Sequence, residues 1–134
     1  RLNGYKKYSP KRIILDKNLN IGMNTYIIKS VKNNNTIIFH YSSNRSKIQN
    51  LKKRGITLIK SKLNNKKKFD IKIIFKKLFS QGIRNLLVEG GDKITKNMLK
   101  NRLIDQFYII KYLCYHIPLN LSKFLIIPLI IQRL

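Results

Sequence analysis

The chain has 134 residues, of which 29 are Lys or Arg and only 5 are Asp or Glu, a formal charge of +24. That length supports one hydrophobic core and a single domain, 1–134. The lone cysteine, Cys114, excludes an internal disulfide and fits a reducing, cytoplasmic setting. No charged start followed by an apolar signal core is present, and the late apolar run Phe124 to Ile131 is too short for a bilayer and carries Pro128. So strong a charge normally points to nucleic acid, an anionic membrane or a phosphorylated ligand. Yet 22 Lys, 23 Ile and 15 Asn against 7 Arg and no Trp is also the signature of A/T-rich coding. Lys66-Lys67-Lys68 forms a compact basic run in a chain whose basic residues are otherwise widely spread. The charge is a poor guide to partner.

Residues 1–11 (RLNGYKKYSPK) are turn-rich and basic and lack a start methionine, so the chain reads as a piece of something longer, or as one whose start was lost. Arg12 to Asp16 (RIILD) predicts a β-branched strand, closed by the aspartate. Residues 17–24 read as loop, with Leu19 and Ile21 covering the sheet edge, and residues 25–29 as either a short strand or a helical turn. After the polar turn at 32–35, Thr36 to His40 predicts a second strand. A histidine at such a strand end is more often solvent-facing or capping than catalytic. Ser43 to Arg54 predicts a helix with Gly55 as its C-cap, and residues 56–60 a third strand. From Asp70 to Gly82 the apolar residues Ile71, Ile74, Phe75 and Leu78 fall at i, i+3, i+4 and i+7, a single buried stripe with lysines opposite.

The chemistry concentrates between Gly82 and Asp105 (GIRNLLVEGGDKITKNMLKNRLID). Leu86-Leu87-Val88 is the short apolar run of a strand buried on both faces. Glu89-Gly90-Gly91 follows, then a helical segment over 92–102. Glycines bare the backbone N–H groups. A helix starting behind them directs unpaired donors and a partial positive charge at the turn mouth, which suits an anion. A plain tight connection is the alternative, and two glycines alone do not decide between them. A further strand is expected at 106–111, giving a parallel α/β succession. Residues 112–134 have no clean period: an edge strand plus loop, or a tail free of folding constraint.

RIILD, Gly55-Ile56 before a strand, and above all LLVEGG with its helix resemble the C-terminal reductase domain of the RibD family, bifunctional deaminase/reductases of riboflavin biosynthesis. The opening RLNGYKKYSPKRIILD is similar to the family's stretch that leads from a substrate-contacting arginine through a Pro-containing turn into a strand. The resemblance covers about residues 1–110. It implies a dihydrofolate-reductase-like α/β fold, three layers around a mostly parallel central sheet, incomplete at the N-terminus. It implies NADPH as cofactor and reduction of 5-amino-6-(5-phosphoribosylamino)uracil to its ribitylamino form. Gly90, Gly91, Asp92, Lys93, Ile94, Thr95, Lys96 and Asn97 would line the cofactor, and Arg1 and Glu89 would contact the phosphorylated pyrimidine substrate. The family's reductases tend to dimerise, so a homodimer is the implied assembly, with no specific nucleic acid and no membrane.

The departures are equally specific. No His-x-Glu with a following Pro-Cys-x-x-Cys is present, so no zinc site is expected. The family's first reductase strand and helix have no counterpart, Lys17 replaces a small hydroxyl residue, and the sequence after Ile110 diverges into an atypical tail over 112–134. A missing central strand exposes apolar surface, so the isolated chain is expected to be a fragment with little turnover. The competing readings are a degenerate non-catalytic remnant and a basic nucleic-acid-binding domain, which would need to keep a sequence preference at physiological salt.

Overall fold

Three β-branched runs become three strands: β1 (Arg12–Leu15), β2 (Thr36–His40) and β3 (Thr57–Lys60). They pair in parallel in the order β1-β2-β3, with Ile13 opposite Ile37 and Ile38 opposite Leu58. The computed structural model describes residues 10–31, 35–112 and 125–133, and the chain divides into two compact units, 1–70 and 71–134.

In the first unit β2 is buried along all five residues, as a central parallel strand covered on both faces must be. Ile38 gathers Leu19, Ile28, Leu51 and Ile56 into one core, with Ile14, Ile48 and Leu58 against it. Leu19 does not merely cover an edge: it is 3% exposed, in a left-handed conformation with φ 57°. The loop bearing it is tied down where the Asp16 carboxylate accepts from Ile21 N–H at 2.8 Å and Lys47 Nζ donates to Ile21 O at 2.7 Å. The undecided stretch at 25–29 is helical, α1 (Tyr26–Lys29).

α2 (Arg45–Lys53) is capped by Asn44, whose Oδ1 accepts from Lys47 N–H at 3.0 Å. It ends as expected at Gly55, with φ 78°. Gly55 N–H reaches Lys52 O and Ile56 N–H reaches Leu51 O, the paired bonds of a Schellman motif. His40 departs from expectation. It is 4% exposed rather than solvent-facing, because the next residues fold over the end of β2. Tyr41 N–H is bound to Lys17 O, and Ser61 N–H to His40 O.

In the second unit α3 (Ile71–Ser80) buries Ile71, Ile74 and Leu78 of the expected stripe and ends in the same motif at Gly82, φ 79°. β4 (Asn85–Glu89), α4 (Asp92–Lys100), β5 (Gln106–Tyr112) and β6 (Leu125–Arg133) follow. The sheet order is β4-β6-β5, and both ladders are antiparallel. β4 and β5 therefore run in the same direction, as the strand–helix–strand succession implies, but they are not neighbours. The stretch 112–134 supplies the strand between them. Six of the seven residues from Leu125 to Ile131 are Leu or Ile, a central-strand composition interrupted by Pro128. The β4 ladder ends at Glu89 opposite Leu129, one residue short of that proline, so no β4 residue faces the position that has no N–H to give. Residues 113–124, with Cys114 and His116, lie outside the described residues.

α4 ends in a third such motif, with Arg102 N–H to Leu99 O and Leu103 N–H to Met98 O, but here the left-handed residue is an arginine, φ 53°. Arg102→Gly is therefore expected to raise stability by about 1 kcal/mol in urea unfolding followed by circular dichroism. Ile38→Ala, by contrast, should cost about 3 kcal/mol. A loss under about 1 kcal/mol would show that the core does not close on Ile38.

Candidate functional site

The second unit builds its turn from the strand outward. β4 alternates in exposure instead of being buried on both faces: Leu86 and Val88 are half-buried, while Leu87 is 53% exposed. The apolar run therefore buries one face of the strand, not the two that its composition alone suggests. The same alternation leaves Glu89 exposed at the carboxyl end of the strand, immediately before the glycines.

Neither Gly90 nor Gly91 has a positive φ, so the turn does not use their left-handed freedom. Gly90 is required for another reason. A Cβ there would run into the side chain of Ile94, one helical turn on. Gly91 is the N-cap of α4, in extended backbone with φ −74° and ψ 177°, and a Cβ there would meet open space.

The helix start is anchored through one carbonyl. Gly91 O accepts from Ile94 N–H at 3.1 Å, from Thr95 N–H at 3.2 Å and from Thr95 Oγ1 at 3.3 Å. No side chain caps the first turn, so the N–H groups of Asp92 and Lys93, which have no partner within a helix, point out of the turn mouth. Partial positive charge and bare donors converge there on open space, the arrangement that takes an oxyanion. The Asp92 carboxylate sits in the same first turn and pairs with Lys96 at 2.8 Å, both side chains about three-quarters exposed.

The eight residues expected to line a cofactor thus separate by position. Gly91, Asp92 and Lys93 form the mouth, with Glu89 on its strand side. Gly90 and Ile94 pack together, and Thr95 is 8% exposed, turned inward. Lys96 is held by Asp92, and Asn97, half-buried a full turn along, accepts from the Asn101 amide at 3.1 Å. The spacing of Gly90 to Ile94 at i, i+4 is the signal in the sequence for the glycine's role. Arg1 lies outside the described residues. Among the described residues no cluster of His, Cys, Asp or Glu could hold a metal ion, and no helix is long and apolar enough to cross a membrane.

Residues 3–114 match the family described as the RibD C-terminal domain, a span that holds the whole Glu89–Asn97 turn and stops short of β6. The chain is also 26% identical over 109 residues to the riboflavin biosynthesis protein RibD of Actinobacillus pleuropneumoniae. That alignment takes in 81% of this chain and 27% of the relative, so the chain spans about a quarter of that protein's length. The α/β architecture with its parallel three-stranded sheet is in keeping with the dihydrofolate-reductase-like fold expected from the resemblance. With most of its length inside the match, the chain belongs to the RibD C-terminal domain family.

Proposed function

We propose that this chain is a reductase-type module of riboflavin biosynthesis that binds NADPH at the Glu89-Gly90-Gly91 turn. The observation that carries the reading is the uncapped start of α4 behind two glycines, inside the family match. In this reading the N–H groups of Asp92 and Lys93 hold a cofactor phosphate, and Gly91 lets it approach because no side chain stands in the way. Lys93 adds a mobile positive charge at the rim, Thr95 holds the Gly91 carbonyl inward, and Lys96 draws the Asp92 carboxylate away from the mouth. Gly90, Ile94 and Asn97 complete the cofactor side.

NADPH, when bound, supplies the hydride, so the protein's task is orientation and polarisation. Glu89 faces the substrate as a hydrogen-bond acceptor and as a counter-charge to a developing cation. Arg1 holds the substrate phosphate as a bidentate donor. The substrate in this reading is 5-amino-6-(5-phosphoribosylamino)uracil, reduced to the ribitylamino form.

Titration with NADPH, and in parallel NADH, at about 0.2 M salt tests the cofactor site with bulk charge suppressed. Saturable binding that favours NADPH is expected. Gly91→Asp should weaken it at least about tenfold while leaving the fold intact, because aspartate is itself a good N-cap and the new carboxylate repels phosphate at the mouth. No saturable binding, or equal binding by the variant, sinks the reading. Gly90→Ala should instead lower stability by about 1–3 kcal/mol through its collision with Ile94. The chain alone is expected to bind cofactor with little turnover, and a steady-state rate near that of an intact reductase would refute that expectation.

A further inference from the structure

Asn64 to Lys68 are exposed without a break, and the last three of them are lysines. They form the tip of a loop that closes on itself where Leu63 bridges Phe69. Asn64 Oδ1 accepts from the N–H groups of Lys66 and Lys68 at 3.0 Å each. Lys67 N–H reaches Asn64 O at 2.8 Å, and Asn64 N–H reaches Lys68 O at 2.8 Å. Lys67 sits in the left-handed region at φ 54°, which is unfavourable for a residue with a Cβ. These bonds are all made within the loop, and those to Asn64 Oδ1 are open to water. The tip can therefore open without disturbing a strand or a helix.

The other adjacent basic residues among the described ones are held inside regular structure. Lys11-Arg12 opens β1, with Arg12 N–H on Asn35 O and the guanidinium on Ser30 Oγ and Asn35 Oδ1. Lys52, Lys53 and Arg54 close α2, where Arg54 N–H is bound to Leu51 O and Gly55 N–H to Lys52 O. Lys76-Lys77 lies within α3. Arg102 is exposed, but Leu103 after it is half-buried with its N–H on Met98 O. An endopeptidase needs several residues of free chain around the bond it cuts, so bonds in helices and paired strands are protected until the element unfolds.

We propose that the Lys66-Lys67-Lys68 loop is a processing site, the place where a basic-residue-specific endopeptidase first cuts this chain. The enzyme class follows from the residues: a serine endopeptidase whose primary pocket ends in a carboxylate accepts a lysine ammonium. The step is hydrolysis. The peptide C–N bond after one of the lysines breaks, and water leaves a carboxylate on that lysine and an amino group on the next residue. The first unit ends at Asp70 and the second begins at Ile71, so the cut falls almost at their boundary in the sequence. It leaves β1, β2 and β3 on one piece and the Glu89-Gly90-Gly91 turn with α4 on the other, and it breaks no strand or helix among the described residues. This inference is independent of the cofactor reading, since it uses no residue of the turn.

The test is limited digestion of the whole folded chain with a trace of trypsin, followed by mass spectrometry over time. Among the bonds between residues 10 and 112, the first to break should be one that follows Lys66, Lys67 or Lys68. Asn64→Ala removes the carbonyl that holds two N–H groups of the tip and leaves every lysine in place. It should speed that cut at least about threefold, because the loop opens more often, with the circular-dichroism spectrum unchanged. A first cut anywhere else in that span, in α2 or α3 or after Arg102, overturns the proposal. An unchanged rate in Asn64→Ala also overturns it, since the loop's own closure would then not govern access. Should Asn64→Ala lose its fold, the order of cuts in the unaltered chain decides alone. NADPH enters none of these readouts, so failure here and failure at the glycine turn are separate results.

Discussion

A strand enclosed on both faces has no water to satisfy its backbone, so each N–H and C=O of Thr36–His40 must find a partner in a neighbouring strand or loop. β1 and β3 meet most of that demand, and the ends are met by Arg12 N–H on Asn35 O, Asp16 N–H on Phe39 O and Ser61 N–H on His40 O. This constraint fixes the register of the parallel sheet, and with it the level at which three loops leave the strands. Where β2 stops, its last side chain is still buried. His40 is in the interior where the chain continues over the strand end, with Tyr41 N–H held by Lys17 O and Ser61 N–H by the His40 carbonyl.

The second unit obeys a different constraint. Two strands joined by a helix point the same way, and in this sheet an antiparallel strand lies between them. The β4 ladder closes at Glu89, and the backbone beyond it is released from pairing at the place where Gly90 must pass close to Ile94. The turn's geometry therefore comes from strand termination and a tight glycine–isoleucine approach, without any left-handed glycine. Packing of Ile94 and Thr95 holds the first turn of α4 from below, and its free donors remain above, since Gly91 brings no side chain to cap them.

Much of this was legible in the sequence where one physical signal dominated. RIILD and TIIFH are β-branched and became paired strands; the i, i+3, i+4, i+7 stripe of α3 is on its buried face; Gly55 and Gly82 adopt the left-handed conformation that ends a helix. The EGG turn and its helix are also where the pattern places them. Signals failed where two effects competed. Pro128 masked a central strand, because a proline argues against one unless the neighbouring ladder has already ended, and ladder length is not written locally. Leu86-Leu87-Val88 has no polar residue to mark an alternation, so nothing local signals that Leu87 lies on an exposed face. Arg102 took a glycine's place at the end of α4, leaving no residue-type cue for the cap. Ser61 looked like any loop serine, and its burial depends on chain segments distant in sequence.

The charge illustrates the same limit from the other side. Most lysines here are solvated, and a solvated lysine adds little, since water and salt screen it. Lys96 pairs with Asp92 on an exposed helix face, and Lys47 spends its ammonium on a loop carbonyl. These are structural uses that need no ligand. The lysines at the ends of the parallel strands differ in context and not in kind. Lys60 stands over the Tyr41 ring at 6.0 Å, beside a buried hydroxyl and a buried imidazole from which water is excluded. Removing water strengthens every charge–charge interaction nearby, and it also makes an unsatisfied polar atom costly. A formal charge of +24 carries no functional meaning summed over the chain. It acquires one only residue by residue, from what each cation touches in the fold.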